Sequence, residues 1–257
     1  MMEFGLITFA DMVPQKGAGK ATNAQQRINE LMEEIHLADA LGLDVFGVGE
    51  HHRPDYAVSS PATILAAAAV TTKNIKLASA VTVLSSDDPV RIFQQFATVD
   101  LLSGGRAEIM AGRGSFIESF PLFGYDLEHY NELFSEKLDL LLKINKNETL
   151  AWNGEHRPSF SERGVYPRPV QESIPVWLAA GGTPASAVRA AKLQLPLMLA
   201  IIGGRPEQFV PFIQLYRDTT KKEGHDEKNI QLGVNNHFYV SENSQTAGKE
   251  FYPYYSE

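Results

Sequence analysis

The chain has 257 residues, of which 44% are hydrophobic and 21% charged, close to the globular average and unlike a disordered chain or a coiled coil. It contains no cysteine, which excludes disulfide scaffolds, thiolate metal sites, cysteine nucleophiles and iron–sulfur clusters. A formal net charge of −8, with no basic stripe, counts against nucleic acid. No apolar run approaches the ~20 residues of a membrane span, and Met1-Met2-Glu3-Phe4-Gly5 does not read as a signal peptide. The expectation is a soluble cytoplasmic protein.

Phe4 to Phe9 is a short apolar run and reads as a buried strand. Ile28, Leu31, Met32, Ile35, Ala38 and Leu41 recur at helical spacing, and Gly42 stops that helix. Asp44 to Gly49 reads as a second strand. Ser60-Pro61 opens an alanine-rich helix to about Thr72, with Ser60 as cap and Pro61 in the first turn. Leu77 to Leu84 is strand three. Asp88-Pro89 opens a helix carrying Ile92, Phe93, Phe96, Ala97 and Leu101, ended by Ser103-Gly104-Gly105. Ala107 to Ala111 is strand four. Residues 112 to about 130 read as a loop, Glu132 to Ile144 as a helix, and the proline-rich stretch 146–175 as an excursion with a short hairpin. Strand five, Val176 to Ala180, leads through Gly181-Gly182-Thr183-Pro184 into a helix ending at Leu193. Strand six, Leu197 to Ile202, leads through Gly203-Gly204-Arg205-Pro206 into a helix to about Lys222. Strand seven lies within Ile230 to Val240, and a last helix starts near Ser244.

Strands separated by helices imply a parallel sheet. Seven such units point to an α/β fold of the TIM (β/α)8 type with long insertions, in one domain over residues 1–257. An eighth strand is missing, and one more βα unit needs ~30 residues. The expectation is a chain incomplete at its C-terminus, the rival being a loop or second subunit over the open edge.

In such folds chemistry sits at the C-terminal strand ends. There the sequence places Glu50-His51-His52-Arg53, Leu84-Ser85-Ser86, Gly112-Arg113-Gly114 and the two Gly-Gly turns. Each Gly-Gly turn precedes one residue, a proline and a helix. Glycine permits close backbone approach, and a helix N-terminus carries about half a positive charge. Gly181, Gly182, Gly203 and Gly204, with Arg113 or Arg205 reaching in, are thus candidates to hold a phosphomonoester. Gly-Gly-x-Pro is equally a plain strand-to-helix turn. Consecutive His51 and His52 point to opposite faces and suit no single metal ion, so no metal is expected. One of the two suits proton transfer near neutral pH, or is merely packed. Dinucleotide fingerprints fail, since Ile117 and His52 stand where Gly112-Arg113-Gly114 and Gly47-Val48-Gly49 would each need a third glycine.

Taken together, Gly49-Glu50-His51-His52, Leu84 through Arg91, Asp100 through Arg106, Gly112-Arg113-Gly114, Ala179 through Thr183 and Leu195 through Met198 resemble the bacterial luciferase-like flavin monooxygenases. The match runs in order over about residues 3 to 223. The resemblance implies an eight-stranded barrel, usually dimeric, using reduced FMN or a deazaflavin. It implies that His51 acts as a base near the flavin, and that Ala80 and Val81, joined by a cis peptide, lie beneath the flavin ring. It also implies Arg113 near the phosphate and a phosphate loop from Ala180 through Gly181 and Gly182 to Thr183. Ala180 and Gly181 replace a glutamate and a serine of luciferase, so backbone N–H groups should take over there and aldehyde chemistry is not implied.

The resulting expectation is a monooxygenase acting on a small organic substrate with O2 and reduced FMN, the latter supplied by a separate flavin reductase. The loops 112–130 and 146–175 would shield the reaction. A homodimer would form through helices near 60–72 and 88–103. Alternatives are a deazaflavin-dependent hydride-transfer oxidoreductase, a non-catalytic flavin-binding protein, and a phosphosugar isomerase-type barrel.

Overall fold

The structure is a computed structural model that describes residues 2–12, 23–114 and 116–256. It packs as two compact units, Met1–Ala179 and Ala180–Glu257.

The first unit opens with strand β1 (Gly5–Thr8), helix α1 (Ala24–Ala40), β2 (Val45–Val48), α2 (Pro61–Ala69) and β3 (Lys76–Ser79). The expected third strand is broken, because β3 resumes as β4 (Thr82–Val83) and then tightens into a 3-10 turn, Leu84–Ser86. The break falls on a cis peptide between Ala80 and Val81, where the family resemblance puts one. There follow α3 (Pro89–Ser103), β5 (Ala107–Gly112), α4 (Ser119–Phe123), α5 (Tyr130–Lys146), the pair β6 (Thr149–Trp152) and β7 (Phe160–Gly164), and β8 (Val176–Ala180). Strands β1, β2, β3, β5 and β8 are parallel neighbours in that order, with β4 also on β5. The second unit holds α6 (Pro184–Lys192), β9 (Leu197–Ile201), α7 (Val210–Lys222), β10 (Leu232–Asn236) and α8 (Ser244–Tyr255), with β9 and β10 parallel. Counting β3 and β4 as one, seven of the eight strands of a (β/α)8-type fold lie among the described residues.

Local chemistry explains most of these bounds. Asn23 caps α1 by accepting from Gln26 N–H at 2.8 Å. Asp88 caps α3, its carboxylate accepting from Val90 and Arg91 N–H, and Gly104 closes that helix with φ +72°. Ser60 occupies the N-cap position of α2, but its hydroxyl meets Thr63 Oγ1 and caps no backbone amide. The core is apolar where the helical period predicts it, with Leu31, Ile35, Leu65, Ile92, Phe93 and Phe96 fully buried.

Of the two long connections, one is more ordered than its sequence suggests. Segment 112–130 contains α4 and a 3-10 turn, Leu127–His129, because Phe120 buries itself against the ring of Tyr130 at 5.5 Å. Five residues are too few to display a helical period. The excursion 146–175 does form a hairpin, the antiparallel β6–β7 pair. Its turn is tied to α5 by Glu136, whose carboxylate accepts from the N–H groups of Glu155, His156 and Arg157 at 2.8–3.2 Å. No helix among the described residues is long and apolar enough to cross a membrane.

Candidate functional site

In the first unit the candidate residues gather at the ends of β2, β4 and β5. His51 follows β2 and is 9% exposed. Its ring lies 4.9 Å from Phe9, 4.3 Å from Tyr56 and 4.9 Å from Phe116, centroid to centroid. Burial among these rings pushes the imidazole below its ordinary value, against the pull of Glu118, Asp11 and Glu50. His51 is therefore neutral near pH 7 and able to accept a proton.

His52 behaves oppositely. Its Nε2 lies 2.9 Å from Glu50 Oε1, and that hydrogen bond raises its pKa despite partial burial. The other oxygen of Glu50 accepts from Val83 N–H at 3.0 Å, deep in the fold. Glu50 thus links the end of β2 to β4. The sequence marked Glu50 only as part of a motif, since its partner lies 33 residues away.

The Ala80–Val81 peptide sits between these anchors. Ala80 N–H donates to Val48 O at 2.7 Å. The backbone here is packed too tightly for side chains opposite it. A Cβ on Gly49 would lie 2.2 Å from Phe9 Cδ1 and 3.0 Å from Ala80 O, and one on Gly112 would lie 2.6 Å from Val81 Cγ2. The glycines of the failed dinucleotide patterns are explained by this close approach.

Arg113 is held by α5. Its Nη1 donates to Asn131 Oδ1 at 2.8 Å and its guanidinium lies 5.3 Å from the Tyr130 ring centroid. Tyr130 in turn donates to Gly114 O at 3.0 Å.

In the second unit the two Gly-Gly turns differ. Ala180 is buried, whereas Gly181 and Thr183 are exposed and Gly182 half-exposed with φ +101°. A Cβ at Gly181 would have nothing within 4 Å, and one at Gly182 would meet only the rings of Phe209 and Phe212. Thr183 is the N-cap of α6 but its side chain makes no cap hydrogen bond, and Pro184 takes the first helical position. An open glycine turn at a helix N-terminus suits an anion. At the second turn Gly203 is open, but Arg205 N–H already donates to Gln208 Oε1 at 3.2 Å, and the same oxygen lies where a Cβ of Gly204 would be. That turn presents fewer free amides than the repeated pattern suggests.

The alternation of parallel strands and helices places the chain among the (β/α)8-type folds. The family described as luciferase-like monooxygenase matches residues 2–257, and the chain belongs to it. The alkanal monooxygenase alpha chain of the Kryptophanaron alfredi symbiont is 25% identical over 96% of this chain and 67% of its own length. Two uncharacterised Sinorhizobium fredii proteins match at 29% and 32% identity, and the chain spans only 50% and 40% of their lengths. Among solved structures, monooxygenase RslO1 from Streptomyces bottropensis superposes with a TM-score of 0.87 at 26% identity, covering 97% of this chain and 75% of that one. The oxygenating constituent of 3,6-diketocamphane monooxygenase from Pseudomonas putida, in complex with FMN, gives 0.79 at 20% identity, over 97% of this chain and 70% of that one. An F420-dependent secondary alcohol dehydrogenase gives 0.79 at 16%, over 97% and 73%. The last two likenesses establish the fold alone.

Proposed function

We propose that the chain is the oxygenating part of a flavin-dependent monooxygenase that uses reduced FMN and O2 on a small organic substrate. The observation that carries this reading is the neutral His51 enclosed by Phe9, Tyr56 and Phe116, in a chain of the luciferase-like family.

Gly181, Gly182, Thr183 and the N-terminus of α6 would hold the FMN phosphate through backbone N–H groups, with Gly203 and Gly204 contributing less because Gln208 already takes the Arg205 N–H of their turn. Arg113 would add positive charge, and Ala80 and Val81 a flat ledge for the ring. Bound reduced FMN supplies the electrons by which one oxygen atom enters the substrate and the other leaves as water. His51, neutral near pH 7, would accept a proton or hold a hydrogen bond at the reacting oxygen. Phe9, Tyr56 and Phe116 exclude water around that imidazole. Reduced FMN from a separate reductase, a homodimeric assembly and a cytoplasmic setting complete the reading.

The test is a fluorescence-quench titration with FMN, riboflavin and a deazaflavin, followed by oxygen uptake with reduced FMN. FMN should bind at least ten-fold more tightly than riboflavin, with inorganic phosphate competing. Equal affinities for FMN and riboflavin would remove the anion cradle. Preferred binding of the deazaflavin would move the chemistry to hydride transfer. His51→Ala should bind FMN yet lose coupling of oxygen uptake to substrate by 10²-fold or more, a range set by general acid–base catalysis at about 10²–10⁴. A flavin-binding protein without chemistry would show no such change.

A further inference from the structure

Lys137 is the only buried lysine among the described residues, 1% exposed on the apolar face of α5. Its neighbours there include Leu133, Phe134, Leu138 and Leu141, so a leucine or methionine would fill the position at no electrostatic cost. An ammonium taken out of water is expensive unless it is paired. No carboxylate lies within ion-pair distance of it among the described residues. The acidic groups that face it are Asp87, Asp88 and Glu136, and each is committed elsewhere. Glu136 accepts from the 155–157 amides, Asp88 caps α3 and accepts from Arg157 Nε, and Asp87 accepts from Asp88 N–H. Lys137 Nζ instead donates to the carbonyl of Ser85 at 2.8 Å and rests 3.6 Å from the Tyr125 ring centroid.

Ser85 belongs to the 3-10 turn that directly follows β4 and the Ala80–Val81 peptide. The same short segment is gripped at Val83 N–H by Glu50, next in sequence to His51. The hydroxyls of Thr82 and Ser85 are buried and grip nothing among the described residues, and Ser86 reaches only Ser119 and Val83 O. Two buried polar side chains, Glu50 at Val83 N–H and Lys137 at the Ser85 carbonyl, therefore hold the segment 80–86.

We propose that Lys137 is a positioning residue, fixing the 80–86 ledge through the Ser85 carbonyl and, by way of Val83 and Glu50, the setting of His51. The proposal rests on the flavin reading only where FMN binding is the readout. Burial lowers the ammonium to about 8, so the charge that holds the ledge is lost within an accessible pH range.

The test compares wild type with Lys137→Met and Lys137→Arg. The histidine ring signals of 13C-labelled protein are followed by NMR from pH 5 to 9.5, alongside FMN titrations. In wild type, the His51 signals should show a second inflection near pH 8 and FMN affinity should fall about ten-fold above it. Lys137→Met should lose the inflection, bind FMN about ten-fold more weakly at pH 7 and show a flat profile. Lys137→Arg should restore affinity at pH 7 and hold it through pH 9.5. Unchanged His51 titration and FMN affinity in Lys137→Met would reduce Lys137 to packing and end the proposal. If Lys137→Met does not fold, Lys137→Gln is read in its place, and unchanged His51 titration and FMN affinity in that variant overturn the proposal. If wild type binds no FMN, the flavin reading fails by itself, and the His51 inflection with its behaviour in Lys137→Arg still decides the role of Lys137.

Discussion

Adjacent residues of one type, His51 and His52, face opposite electrostatic fates. Burial lowers the pKa of His51, so folding stability falls as pH drops below its ordinary value of 6.5. The Glu50 bond raises that of His52, so its stabilisation is complete below 6.5 and is lost as pH rises through the folded value. Glu50→Gln keeps an acceptor for Val83 N–H but removes the charge and turns an NH2 donor toward His52 Nε2. Its cost in urea melts should be about 1–2 kcal/mol at pH 5.5 and should shrink toward pH 8; a cost independent of pH would deny the pair. For Lys137 the sign reverses. Its burial penalty is complete below about 8 and is relieved between about 8 and 10.5. Wild type should therefore gain about 2–3 kcal/mol on Lys137→Met across that window, at about 1.4 kcal/mol per pKa unit.

At the level of elements, the helical period identified buried faces well. Helix α3 buries Ile92, Phe93, Phe96 and Ala97 as its sequence implies. Phe96→Ala should cost about 3–5 kcal/mol in chemical denaturation; under about 1 kcal/mol would mean the face is not packed as described. The same period put position 137 on the buried face of α5, which was the available signal that its lysine is unusual. Strand three read as continuous, because nothing in Ala78-Ser79-Ala80-Val81 announces a cis bond by composition; only the family resemblance did. The hairpin within 146–175 was legible, but what orders its turn at 154–157 was not. Its order comes from Glu136, about 20 residues earlier, lending one carboxylate to three amides.

On the scale of the whole molecule, α1, α2 and α3 leave apolar side chains in solvent. Val70 is 63%, Leu101 47% and Leu102 45% exposed. Exposed apolar side chains mark association sites when they cluster, and Val70, Leu101 and Leu102 lie on or next to the two helices that the family resemblance assigns to a homodimer. Sedimentation at micromolar concentration should show a dimer, and the double variant Leu101→Glu with Leu102→Glu should be monomeric with its thermal midpoint lowered. A wild-type monomer would instead leave this face without a partner of its own kind.

The order of the main strands and helices, the glycine turn before α6 and membership of the luciferase-like family were written in the sequence, whereas the break in strand three and helix α4 were not. Periodicity, capping and turn chemistry act between residues a few positions apart. Only tertiary structure decided which histidine is neutral, that Glu50 reaches Val83, that Gln208 fills the second glycine turn while the first stays open, and that Lys137 holds Ser85. Those outcomes depend on burial and on pairing. For the most part they are set by groups brought together from distant positions, such as the 52 residues that separate Lys137 from Ser85. Residue order alone does not encode the energy of such encounters.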